Sequence, residues 1–338
     1  MSSLADRVVA PAHLETPAPL DGVTFRPGAL SDVPAMHRVL LAACAVDSPD
    51  ERPAQDDIEY ELSTTGLVPA TDSLVALDAD GHVIGYVIVM LHPAHESLVR
   101  VWLPGEVDPA HRGRGIGRRL LAWQLGRARQ LLAGLRVDLP AQLELTDRQG
   151  SPALALAARF GMEPTRYWFD LTRDLTDPVD VAPAPDGYTL RQYVSDDLEG
   201  MRLAKNDSFR DHWGSQPTPA EDWARARSAP AFRGDLSRVV TDAQGTIVAF
   251  AFVDVDPESF EARGGSFGYV DYVGVVRAHR GRGLARVVLS SVLAAIRADG
   301  LAAAVLDVDA ENPTGALGLY ERLGFTRGTV AVTHTLHF

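Results

Sequence analysis

The chain repeats itself, and the repeat decides its architecture. "GVTFRP" at 22–27 returns as "GYTLRQ" at 187–192, "DADGHVIGYVIV" at 78–89 as "DAQGTIVAFAFV" at 242–253, and "VDPAHRGRGIGRRLL" at 107–121 as "VVRAHRGRGLARVVL" at 275–289. The separations are 165, 164 and 168 residues. Three matches in one order at nearly one offset indicate a duplicated domain. A length of 338 residues with 46% hydrophobic content is enough for a core in each half. We expect an N-terminal tail over 1–21, a first copy over 22–175, a linker over 176–186 and a second copy over 187–338. The linker assignment rests on "DLTDPVDVAPAPDG", 174–187, whose spaced prolines lack apolar periodicity.

Within each copy the pattern alternates between strand and helix. "TFRPGALSDVPAMHRVLLAACAV" reads as a strand, an Asp/Ser cap and an amphipathic helix with Val33, Met36, Val39 and Leu40 on one face. "SLVALDADGHVIGYVIVML" reads as two β-rich runs around a turn at Asp80-Gly81. In the second copy "GYVDYVGVV" is a strand leading into the glycine-arginine segment, after which Leu284, Val288, Val292 and Ile296 form an apolar helical stripe. A buried strand "AAAVLDV", a short helix in "PTGALGLYERLG" and an alternating strand "TVAVTHTLHF" complete the unit. The predicted class is α/β (α+β): each copy a mixed, largely antiparallel sheet flanked by helices.

Composition narrows the partners. No run of 18 apolar residues occurs, and the N-terminus lacks the order of a secretory signal, so a cytoplasmic protein with no membrane partner is expected. A net charge of -13 argues against nucleic acid and favours a cationic small molecule. Cys44 is the single cysteine, which excludes an internal disulfide and a cysteine-based zinc site; no metal is expected, and Cys44 reads as a small core residue. A monomer or homodimer is expected.

Against that acidic background, the glycine-arginine segments stand at a strand-to-helix turn. A helix start offers backbone N–H groups without intrahelical partners and the positive end of a dipole, which suits a phosphate group. Gly281 and Gly283 let an anion approach those amides, and Arg280, Arg282 and Arg286 add charge. A surface turn that merely starts a helix is the alternative for one isolated copy. A P-loop is excluded because Leu284-Ala285 and Ile116-Gly117 stand where Lys-Ser/Thr is needed, and a dinucleotide-binding turn is excluded by spacing and by the predicted sheet.

The segment resembles the signature of the GCN5-related N-acetyltransferases, Arg/Gln-x-x-Gly-x-Gly/Ala. Arg280, Gly283 and Ala285 fit it in the second copy, and Arg112, Gly115 and Gly117 in the first. "NPTGALGLYERLGF", 312–325, resembles a second family segment through Asn312, Ala316, Leu319, Tyr320, Gly324 and Phe325. The resemblance covers about 22–175 and 187–338. It implies acetyl-CoA as cofactor, its diphosphate on the turn Arg280, Gly281, Arg282, Gly283, Leu284, Ala285 and Arg286, and its pantetheine arm paired with Val275, Val276 and Arg277 in the manner of an added strand, with Asn312 nearby. A second possible site comprises Val107, Arg112, Gly113, Arg114, Gly115, Ile116 and Gly117.

The resemblance also implies roles. Acetyl transfer to an amine needs a base, a polarised carbonyl and a proton for the departing thiolate. Tyr320 is the implied acid. In the first copy the corresponding position is Ala157, and Gln149 stands where Asn312 does, so that copy is expected to have lost the chemistry. Asp271 is the candidate base, an exposed strand carboxylate being the alternative. Tyr269, on the same face by alternation, with Asp211 and Trp213 from "NDSFRDHWGSQPTPAEDW", 206–223, are candidate acceptor-binding residues. The expected function is acetyl-CoA-dependent N-acetylation of a small-molecule primary amine by direct attack, the acceptor being an aminosugar, an aminoglycoside or an amino-acid-like molecule. Two alternatives stay open: tandem family members that acetylate a cysteinyl pseudo-disaccharide, and a non-catalytic acyl-CoA-binding regulator. For the first, a glutamate is expected on the central strand where this chain has Tyr269, with Asp271 nearby.

Overall fold

The computed structural model describes residues 3–311 and 315–338, so Asn312 lies outside the described residues. Contacts divide the chain into two compact units, 1–166 with 331–338, and 167–330. Each is a mixed α/β layer structure, as the alternation of periods predicts.

In the first unit, strand Thr24–Pro27 pairs antiparallel with Ser73–Leu77, which forms a hairpin with Val83–Ile88, and the latter pairs with Gly105–Val107. The hairpin turns where Asp80-Gly81 was expected; Gly81 has φ +85° and Asp78 accepts from the amides of Asp80 and His82. Val33, Met36 and Val39 of helix Val33–Asp47 are buried, whereas Leu40 is only partly so. Strand Val99–Trp102 runs parallel to Ala141–Arg148, whose other edge takes the chain's last residues, Ala331 to His337, antiparallel. Residues before the first strand pack closely: Leu4 and Val8 are buried, and Leu4 and Ala5 donate to the carbonyls of Val137 and Leu135.

In the second unit the sheet order is Thr189–Gln192, Arg238–Thr241, Ile247–Asp254, Phe267–Val275 and Ala303–Asp309. All neighbours are antiparallel except the last two strands. Helix Leu284–Ala298 covers one face, with the predicted stripe Leu284, Val288, Val292 and Ile296 at 0–1% exposure. Helices Leu198–Ser208 and Ala220–Arg227 cover the other, over Phe250 and Phe252. The strand Ile247–Asp254 is therefore buried on both faces, which explains its unbroken apolar run. The stretch 176–186 has no regular structure but is packed: Val179, Ala182 and Ala184 lie against the core, and the amide of Ala182 donates to Ser290 Oγ at 3.0 Å. No helix among the described residues is long and apolar enough to cross a membrane.

Candidate acyl-transfer site

The site of the second unit is built where two strands part company. Phe267–Val275 and Ala303–Asp309 are paired in parallel only from Phe267 with Ala303 to Tyr269 with Val305. Beyond that point the edge of the central strand faces a gap. On its other side the same strand carries a bulge: Ala251 pairs with Val273 but Val253 with Val270, so Asp271 and Tyr272 oppose one residue. The alternation of burial along the strand fails at these residues. Gly274 answers a further demand, because a Cβ there would collide with Phe250 Cζ and lie 2.7 Å from Ser208 Oγ.

The glycine-arginine turn follows directly. Gly281 and Gly283 have φ of +76° and +78°, and a Cβ on either would meet nothing within 4 Å. The cradle is thus open and needs glycine for its backbone shape. Gly283 caps helix Leu284–Ala298 without any side chain closing the cap, and the amides of Gly281 to Ala285 donate to no group among the described residues. Such amides, at a helix start, are ready acceptors of a phosphate group. Arg286 is exposed with no partner among the described residues, so its guanidinium is available beside them.

The other arginines act differently. Arg280 turns inward: Nε donates to the Val275 carbonyl at 3.3 Å, Nη2 to the Ser208 carbonyl at 2.6 Å, and Nη1 to Asp211 at 3.0 Å. It ties the strand end to the helix before it. Arg112 does the same in the first unit, reaching the Val107 carbonyl at 3.0 Å and Asp47 at 2.6 Å. Arg277 also pairs with Asp211, at 2.9 Å, and its amide donates to Asp207. Asp211 therefore shapes the turn. Arg282 donates to the Tyr188 hydroxyl, which also meets His279 Nδ1 at 3.0 Å.

On the helix Ala316–Arg322, Tyr320 is buried in the cluster that contains Leu284, Val288, Leu306 and Val308, with its ring edge-on to Phe325 at 5.8 Å. Its hydroxyl has no hydrogen-bond partner among the described residues, and burial pushes its pKa up to about 12. It stays protonated at neutral pH and has a donor to give.

A polar group lies on the face covered by helices Leu198–Ser208 and Ala220–Arg227. Asp271 accepts from Arg227 Nη2 at 2.8 Å; burial raises its pKa, while Arg227 and Lys205 oppose the rise. Tyr269 donates to Asp307 at 2.8 Å, and burial first, then Asp307, holds its phenol well above the usual range. Lys205 is buried, donates to Thr218 Oγ1 at 2.6 Å and lies 5.5 Å from the Tyr272 ring centre; burial lowers its pKa to about 8. Trp213 is half-buried. Sequence reasoning brought Tyr269 and Asp271 to one place but passed over Arg227, Lys205 and Asp254, which join them from other elements. Lys205 carried a signal, being the chain's only lysine.

The first unit keeps the frame. Val99 to Trp102 pair in parallel with Ala141 to Glu144 before the strands separate, and Gly113 and Gly115 have φ of +78° and +86° ahead of helix Ile116–Ala133. Ala157 is fully buried and offers no proton. Here the preceding segment crowds the turn: Leu20 Cδ2 lies 3.6 Å from where a Gly115 Cβ would be, and Arg114 and Arg119 donate to the carbonyls of Asp21 and Ala18. Carboxylates gather around Arg112: burial raises Glu106 to about 7, and Asp147 and Asp47 add to the rise while Arg112 opposes it.

Strands that separate beside a turn with free amides leave an open strand edge next to a helix start suited to an anion. Comparison with known proteins agrees. Residues 198–325 match the family model described as "Acetyltransferase (GNAT) family", and residues 70–161 that of "Acetyltransferase (GNAT) domain". A mycothiol acetyltransferase of Thermobispora bispora is 37% identical over 232 residues, 68% of this chain and 73% of that protein, and one of Frankia alni is 32% identical over 88% of this chain and 89% of its own. Among solved structures, a GCN5-related N-acetyltransferase from Sphaerobacter thermophilus superposes with a TM-score of 0.69 at 24% identity over 96% of this chain and 97% of its own. A tandem GNAT protein from the clavulanic acid biosynthesis pathway gives 0.64 at 20%, over 93% and 98%. The chain belongs to the GNAT acetyltransferase family, in its tandem form, and is an N-acetyltransferase.

Proposed function

We propose that the protein transfers the acetyl group of acetyl-CoA to the primary amine of a small molecule, and that the second unit alone performs the chemistry. The observation that carries this reading is that one unit holds an unpaired strand edge, a turn with free amides and a tyrosine hydroxyl without a hydrogen-bond partner among the described residues, the tyrosine packing in the same cluster as Leu284 and Val275. The amides of Gly281 to Ala285, with Arg286, would hold a diphosphate. Pairing with the pantetheine amides was expected at Val275, Val276 and Arg277, but the strand ends at Val275 and the amides of Val276 and Arg277 already donate to Val248 and Asp207, so the edge of Val273 to Val275 would take that role and an N–H there would polarise the thioester carbonyl. Tyr320 would donate its proton to the sulfur as the C–S bond breaks. Cys44, the chain's single cysteine, lies in the first unit with its thiol pushed up to about 12 by burial and is no candidate for a covalent relay, which favours direct attack by the amine. Such a protein works where acetyl-CoA is made, in the cytoplasm.

For the acceptor, carboxylates around Tyr269 favour an ammonium group. The relatives named for mycothiol make its amine precursor the first molecule to assay, with aminosugars, aminoglycosides and amino acids beside it. The test is release of free thiol from acetyl-CoA across that panel. Wild-type protein is expected to turn over at least one amine, and Tyr320→Phe to lower kcat about 10²-fold while leaving KM for acetyl-CoA within about twofold. A variant with undiminished kcat removes Tyr320 from the chemistry; a wild-type protein that binds CoA and never turns over is a regulator.

A further inference from the structure

We propose that Asp254 and Asp271 together take the proton from the acceptor's ammonium group, with Arg227 as the positioning residue that holds them as a working pair. The proposal rests on the transferase reading above and adds to it a residue from a neighbouring strand. Asp254 ends the strand Ile247–Asp254 and is paired across the ladder with Tyr269; Asp271 sits two residues on, in the bulge, at the first step beyond the point where the strands separate. Both side chains are about one-quarter exposed, at 27% and 24%, so each can be reached from solvent.

Arg227 joins them. It ends helix Ala220–Arg227, and its side chain is only 8% exposed. Nη2 lies 2.8 Å from Asp271 and Nη1 3.8 Å from Asp254, while Nε and Nη1 make no hydrogen bond among the described residues. What fixes the guanidinium is aromatic: its carbon stands 5.2 Å from the Trp223 ring centre, 4.9 Å from Phe232 and 5.5 Å from Phe252. Ring faces hold a cation without competing for its charge-assisted hydrogen bonds. One guanidinium thus serves two carboxylates unequally. Asp271 has the short contact and Asp254 the long one.

That inequality assigns the roles. Burial raises the proton affinity of both carboxylates; the guanidinium holds the charged form of the one in the short contact, while its neighbour, more loosely paired and beside a like charge, is the freer to take a proton. Burial first and then Asp271 raise Asp254 to about 6, against the pull of Arg227. Other charged or titratable groups near the pair are Lys205, acting on Asp271 from helix Leu198–Ser208, Tyr193, which feels Arg227, and Tyr269 with Asp307 and Asp170. The two carboxyl groups titrate as a pair. In the reaction the ammonium proton passes to Asp254, directly or through one water, and the freed nitrogen lone pair forms the N–C bond. The C–S bond breaks, the thiolate takes the Tyr320 proton, the nitrogen's second proton passes by way of solvent to restore Tyr320, and Asp254 releases its own to solvent.

The test joins a titration with kinetics. In protein labelled with ¹³C at the aspartate carboxyls, one resonance is expected to have a midpoint near 6. It disappears in Asp254→Asn and moves to lower pH in Asp271→Asn, where a like charge is gone. For the amine that gives the fastest thiol release, wild-type kcat/KM rises with pH through that midpoint. Asp254→Asn is expected to lower kcat about 10²-fold and to lose the rise, with KM for acetyl-CoA unchanged, and Asp254→Glu to restore part of both. If wild-type protein turns over an amine and Asp254→Asn retains its kcat and its rise, the pair is overturned and the transferase reading stands. Should Asp254→Asn not fold, the wild-type titration decides, since no aspartate midpoint above about 5 also overturns the pair. If no amine is acetylated, the transferase reading falls and takes this proposal with it.

Discussion

Burial sets the chemistry of single residues here, and Lys205 and Tyr320 show it with opposite signs. A phenol out of water keeps its proton, which an acid needs; an ammonium out of water loses it more easily. Lys205, lowered to about 8 from 10.5, is charged in the folded protein only below that lower value. Between about 8 and 10.5 the unfolded chain binds the proton and the folded chain does not, so stability rises with pH across that window. Urea unfolding at pH 7 and pH 10 should show wild type gaining about 2 kcal/mol relative to Lys205→Met. Equal gains in both proteins would mean that the ammonium is hydrated. The sequence displayed Tyr320 through its neighbours Gly324 and Phe325, and Asp271 through its strand. It could not display Arg227 or Asp254, because their importance comes from four elements meeting: two strands, a helix end and an aromatic cluster whose members lie at 223, 232 and 252.

Among the elements, strand and helix periods were plain where one face is buried. The stripe of Leu284–Ala298 and the hairpin at Asp80-Gly81 follow from spacing alone. The bulge at Asp271 and Tyr272 leaves no such mark, since an inserted residue shifts the alternation without changing composition. The terminal strand Thr326–His337 shows a related limit: alternation announces a strand but does not name its partner, and residues from Ala331 pair with Ala141–Arg148. Turn glycines carry clearer meaning. Gly283, at φ +78° with free amides following, should tolerate no β-branched residue. Calorimetric titration of Gly283→Val with acetyl-CoA is expected to show affinity at least about 10-fold weaker, as the cradle is both strained and filled. Unchanged affinity would place the diphosphate elsewhere.

For the whole molecule, duplication explains more than any single motif. Two copies of one frame let one carry a tyrosine at 320, the proposed acid, while the other has a buried Ala157 at the corresponding sequence position, with no proton to give. The acidic chain, at net charge -13, gathers arginines at the turns, yet each first signature arginine is spent on its own strand end, so on the proposed reading peptide amides would do most of the holding. A crystal structure with acetyl-CoA tests this most directly. The account predicts the diphosphate on the amides of Gly281 to Ala285 and the thioester sulfur about 3.5 Å from the Tyr320 hydroxyl. A ligand bound only at Gly113 to Gly117, or a sulfur beyond reach of that hydroxyl, would contradict it.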